Sequence, residues 1–137
     1  MSLGNLLIGF LLGYIILLFQ QEVVGESTYY RKLPTLVGFT VYFVKEVIVS
    51  SLRVARDVVT PQHTARPGII ALPLDARSDF EISTLASVIS LTPGTLSLDV
   101  SSDRATLYVH CMFVDDPDEM KRSIKNGLER KLLEVLR

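Results

Sequence analysis

Hydrophobic positions fall into two regimes along this chain. Up to about residue 59 they form long, nearly unbroken runs, and beyond it they come in short periodic groups. The first run, Leu3 to Phe19, contains no charged residue. As a helix it would reach about 26 Å, enough for a thin bilayer. The second, Pro34 to Leu52, is interrupted only by Lys45-Glu46 and a few small polar residues. Apolar stretches of roughly 18 or more residues read as membrane-spanning helices, so the pattern predicts spans over about 3–19 and 34–54. Ionisable groups at that depth cost at least a few kcal/mol and seek protein or a wet cavity. Neighbouring residues on a helix diverge by about 100°, so Lys45 and Glu46 cannot serve one partner. Glu46, Ser50 and Arg53 share a side, and Arg53 and Asp57 form an i, i+4 pair. Asn5, Gly9 and Gly13 recur every four residues, as in close helix–helix approach or in membrane helices generally.

After Thr60-Pro61 the periods become those of a compact α+β domain. Gly68 to Leu74 predicts a strand that Pro73 confines to an edge or an end. Ser78-Asp79-Phe80-Glu81 is a capping box opening a helix whose buried face is Ile82, Leu85, Ala86 and Ile89. Thr92-Pro93-Gly94 ends that helix. Leu96, Leu98 and Val100 alternate with Ser97 and Asp99 in a half-buried strand. A third strand puts Ala105, Leu107, Val109, Cys111 and Phe113 on one face and Thr106, Tyr108, His110 and Met112 on the other. Asp116-Pro117-Asp118-Glu119 predicts a second capping box, before a helix buried along Met120, Ile124, Leu128, Leu132 and Val135. The fold class is therefore a membrane protein of α+β type. Two transmembrane helices (membrane domain 1–59) precede a β-α-β-β-α domain (60–137) with both helices on one sheet face.

Charge settles orientation and excludes some functions. From Thr60 to Arg137 there are nine Lys/Arg and eleven Asp/Glu, so no basic face awaits nucleic acid. Arg53, Arg56 and Arg66 follow the second run and place the C-terminal domain in the cytoplasm, although Arg31 and Lys32 pull the other way. The lone cysteine, Cys111, rules out an internal disulfide. His110 and Cys111 are strand neighbours facing opposite ways, so they cannot share a metal or act as base and nucleophile. His63 sits in a linker-like stretch. The carboxylates Asp115, Asp116, Asp118 and Glu119 suit a helix start better than calcium. No phosphate loop, zinc spacing or catalytic triad is visible, so neither an enzyme nor a resident metal or cofactor is expected.

Arg66-Pro67-Gly68-Ile69, Ile89-Ser90-Leu91-Thr92-Pro93-Gly94-Thr95-Leu96, Asp99-Val100-Ser101, and Asp103-Arg104 with Leu107-Tyr108-Val109-His110 carry a resemblance. They resemble the E subunit of Mrp-type multisubunit cation/proton antiporters. The likeness covers the soluble domain and, more loosely, the second span. It implies an accessory subunit in the cell membrane of a bacterium or archaeon, inside a complex exchanging sodium or other monovalent cations for protons. Related modules serve membrane-bound hydrogenase and sulfur-reducing respiratory complexes. Its partners would be the other subunits and the lipid bilayer. Many members of that family carry a further hydrophobic segment ahead of the one matching Leu3 to Phe19.

On this reading Lys45, Glu46 and Arg53 make buried contacts to neighbouring subunits or line the ion path, while Thr92, Pro93 and Gly94 shape the soluble domain. Two alternatives stand beside it. One is a free-standing membrane-anchored domain sensing a ligand near Tyr108 and His110; the other makes Glu46 a proton carrier.

Overall fold

A computed structural model describes Leu3–Phe19, Thr28–Pro61 and Thr64–Arg137. The chain forms two units, Met1–Leu36 and Val37–Arg137. In the first, helix α1 (Leu3–Phe19) is apolar throughout, and Leu6, Phe10, Leu11 and Ile16 are all more than half exposed. Among the described residues nothing lies within 4 Å of a Cβ built at Gly9 or Gly13. Helix α2 (Thr28–Val59) runs from the first unit into the second. It is the one described helix long and apolar enough to cross a membrane, measured from Lys32 to Val59. The helix begins at Thr28, ahead of the predicted span, so Pro34 lies inside it. There it forgoes the bond to the carbonyl four residues back. Glu22, Glu26 and His63 lie outside the described residues.

The Val37–Arg137 unit is built on three strands, β1 (Gly68–Pro73), β2 (Thr95–Val100) and β3 (Thr106–Cys111), in the order β1-β3-β2. Both pairings are antiparallel. Consequently β1 and β2 are edge strands running the same way, and Pro73 ends one of those edges. Ile70 and Leu72 from β1 meet Leu107, Val109 and Cys111 from β3 on one face. That face is covered by α3 (Asp79–Leu91) through Leu85 and Ile89, and by the C-terminal helices through Ile124, Leu128 and Leu132. The capping box forms as the sequence suggests: Ser78 Oγ accepts from Glu81 N, and the Glu81 carboxylate accepts from Ser78 N.

Three details depart from the expected pattern. In β2 it is Ser97 that turns inward, its hydroxyl donating to the Ala86 carbonyl, while Leu96 and Leu98 stand about half exposed on the outer face. A bulge between Ser97 and Asp99 then inserts one residue and returns Val100 to the core side. At Asp116 the cap is one-sided, with its carboxylate accepting from Asp118 N. The last helix is also not uniform. α4 (Pro117–Ile124) passes through a π-helical turn (Lys125–Glu129) into α5 (Arg130–Leu136). Met120, Ile124, Leu128 and Leu132 repeat every four residues, which in a regular α-helix drifts about 40° per step. One wider turn resets the stripe toward the sheet.

Candidate functional site

One side of α2 packs against its own domain. Phe39, Tyr42 and Phe43 pack against the core formed by Ile124, Leu128 and the sheet residues. Phe39 and Phe43 stack with ring centroids 6.2 Å apart. The Tyr42 ring lies beneath Lys131, whose Nζ is 5.0 Å from its centroid. Its hydroxyl fills the space a side chain would need at Gly127, so that position requires glycine for close approach. At the far end of α2, Asp57 is only 3% exposed and accepts from Thr64 N, Thr64 Oγ1 and Ala65 N. This ties the helix to the segment leading into β1.

Between these contacts lies a cavity of about 330 Å³. Glu46, Ser50 and Arg53 line it from α2, as their shared side of the helix predicts. Thr92, Pro93 and Gly94 line it from the turn between α3 and β2. Five of the six residues singled out from the sequence therefore meet in one place. Lys45 does not; it is exposed on another side of α2. The expected Arg53–Asp57 pair is replaced, since Arg53 lies over the Phe113 ring at 5.8 Å while Asp57 holds Thr64 and Ala65. Glu46 is half-buried where it lines this cavity.

The Thr92-Pro93-Gly94-Thr95 turn shows why these residue types stand there. Thr92 Oγ1 donates to Val88 O, and Thr95 Oγ1 donates to Ile89 O and Thr92 O, closing the exposed carbonyl end of α3. Gly94 has φ +87°, a left-handed conformation natural to glycine. A Cβ there would touch Val54, Met112 and Phe113, so the turn abuts α2 directly.

The remaining candidates resolve into structural roles. Cys111 is fully buried and burial pushes its thiol pKa up. His110 is half-buried and Tyr108 exposed on the outer sheet face, and neither borders the cavity. Asp116 caps α4 and Asp118 pairs with Lys121 at 3.1 Å. Among the described residues no group of three or more His, Cys, Asp or Glu is placed to hold a metal. One buried ion escapes sequence reasoning. Glu129, 1% exposed, accepts from Asp75 N and Ala76 N through Oε1, with Lys125 Nζ 3.7 Å from Oε2. Spaced i, i+4 from a lysine, it reads as an ordinary surface pair.

Comparison with known proteins brings these features together. A family model described as a Na+/H+ ion antiporter subunit matches residues 1–135. The E subunit of the Na+/H+ antiporter of Alkalihalophilus pseudofirmus is 37% identical over 131 residues, covering 96% of this chain and 83% of that protein. The corresponding subunit of Bacillus subtilis is 33% identical over 136 residues, covering 99% and 86%. Among solved structures, a chain of the Mrp complex from a Dietzia species aligns with TM-score 0.58 and 32% identity, over 74% of this chain and 96% of that one. A chain of the membrane-bound sulfane sulfur reductase, an archaeal respiratory membrane complex, aligns with TM-score 0.63 and 26% identity, over 96% and 84%.

Proposed function

The chain belongs to the E-subunit family of Na+/H+ antiporters, and from that membership we propose that it is an accessory subunit of an Mrp-type monovalent cation/proton antiporter, or of the antiporter module of a related respiratory complex. The observation that carries this is identity above 30% that runs through both the membrane-associated half and the sheet domain. Residues 1–59 form the membrane-associated part, with α1 as a crossing helix, and residues 60–137 form a cytoplasmic domain. The cations Arg53, Arg56 and Arg66 support that side. The chain's relatives are transporter components, and no catalytic role is assigned to it.

In this role Glu46 and Arg53 sit where α2 meets the Thr92-Pro93-Gly94 turn, and they would set the shape that neighbouring subunits bind. Lys45, on the exposed side, would contact neighbours or lipid headgroups. Affinity isolation of the tagged chain from its native membrane tests the assignment. Several much larger hydrophobic subunits should co-purify; a solitary, ligand-binding monomer or dimer would refute it. Glu46→Gln should lower the amount of assembled complex more than the exchange rate per complex. Full assembly with exchange abolished would instead make Glu46 a proton carrier.

A further inference from the structure

The side of α2 turned away from the domain has its own order. At about 100° per residue, Val37, Val41, Val44, Ile48, Leu52 and Val59 fall within an arc of about 80°. They are between 48% and 79% exposed. No charge interrupts this stripe, while Lys45 and Arg56, both exposed, lie along one border of it. On the opposite side are Tyr42, Glu46, Arg53 and Asp57, facing the domain.

A helix crossing the bilayer needs about 30 Å of apolar surface wherever it faces lipid, and protein or a wet cavity against its polar side. From Phe39 to Asp57, about 27 Å of helix, one side of α2 is bound to a domain with exposed Asp115, Asp118 and Arg130. Crossing would carry those charges toward the hydrocarbon, at about 2.5–3.5 kcal/mol for each one brought to the centre. A helix lying along the surface incurs no such cost. The cations agree. If α2 crossed, Arg31 and Lys32 would be separated by the membrane from Arg53, Arg56 and Arg66. If it lies flat, all five remain on one side, as the positive-inside rule asks.

We infer that residues 37–59 of α2 lie in the plane of the membrane, with the Val37–Val59 stripe sunk into the headgroup–acyl boundary of the cytoplasmic leaflet. Lys45 and Arg56 face anionic headgroups along its border. The domain rides on the other side of the helix. A surface helix with this division is held by buried apolar area plus attraction to anionic lipid. This rests on the cytoplasmic placement proposed above and replaces the second predicted span.

Nitroxide labels on Val44→Cys, Ile48→Cys, Leu52→Cys and Val59→Cys test it, in the purified complex and in full-length chain reconstituted in vesicles containing phosphatidylglycerol. Native Cys111 is buried, and the unsubstituted chain reports any background labelling. In the planar arrangement the four labels lie at one depth, about 5–10 Å below the headgroups, and favour oxygen over a nickel chelate. A crossing helix would separate Val44 from Val59 by about 22 Å in depth, and that gradient would overturn the inference. So would shielding of the stripe from both quenchers in the complex, which would mean that another polypeptide covers it. Impermeant maleimide should label Lys32→Cys and Thr60→Cys from the same side; labelling from opposite sides would also refute it. Co-purification of these variants with larger subunits reports family function separately, so either conclusion can fail alone.

Discussion

The two apolar helices differ in length and in how their side chains are distributed. α1 exposes apolar residues around its whole circumference and carries no charge. α2 is divided, with one side set against the sheet domain through Phe39, Tyr42, Phe43 and Asp57 and the other bare from Val37 to Val59. Summed along the sequence, α2 is long and apolar enough to span, and α1 is a shorter apolar helix. Resolved around the axis, only the first has the all-round apolar surface of a crossing helix. Total hydrophobicity thus says that a segment meets lipid, and its angular distribution says how.

The sharpest way to break this contrast is to cut the inner side. Asp57→Ala removes, among the described residues, three charge-assisted hydrogen bonds and leaves the N–H groups of Thr64 and Ala65 without that acceptor. A loss of about 3 kcal/mol is expected, with Asp57→Asn recovering part of it. Denaturant unfolding of full-length chain in mild detergent measures this, using reaction of buried Cys111 as the readout for opening. If Asp57→Ala unfolds like the parent, α2 is not part of the domain.

Local chemistry makes much of this arrangement legible in advance. The Ser78–Glu81 box, the Thr92-Pro93-Gly94 stop and the alternation of Leu107, Val109 and Cys111 are each fixed by neighbours within a few residues. What stays hidden depends on distant partners. Ser97 turns inward because the Ala86 carbonyl awaits it, and the bulge follows from keeping Val100 inside. Glu129 is drawn in by the N–H groups of Asp75 and Ala76, more than fifty residues away in sequence. Glu46 reads from its apolar neighbours as an ion in need of shelter. That it lines one cavity with the Thr92-Pro93-Gly94 turn is something no helical period can reveal.

A matched pair on α2 sharpens the contrast further. Phe43→Ala, on the packed side, should cost about 2 kcal/mol, less than full core burial of a phenylalanine because the ring is half-exposed. Val44→Ser, one residue along on the bare side, should change domain stability by less than about 0.5 kcal/mol. Similar losses for both would mean that the outer stripe also belongs to the fold of the domain.

The smallest effect separates the domain's own ties from those of α2. Glu81 accepts from Arg137 at 3.0 Å and from the backbone N–H groups of Arg77 and Ser78. Arg137 first, then those donors, pull its pKa down to about 2. Because the folded value lies below the unfolded one, the carboxylate contributes stability above about pH 4.5. That contribution fades as the pH falls toward 2. Glu81→Gln should therefore flatten the acid limb of the unfolding curve while leaving neutral pH only slightly changed, since the Arg137 side of the pair is half exposed and screened. Asp57→Ala joined to Glu81→Gln should give additive losses, since the described partners of Asp57 are Thr64 and Ala65 and those of Glu81 are Arg77, Ser78 and Arg137. A strong coupling between them would show that α2 and the α3 cap melt as one unit, and that the seat of α2 reaches further into the domain than Phe39, Tyr42 and Asp57.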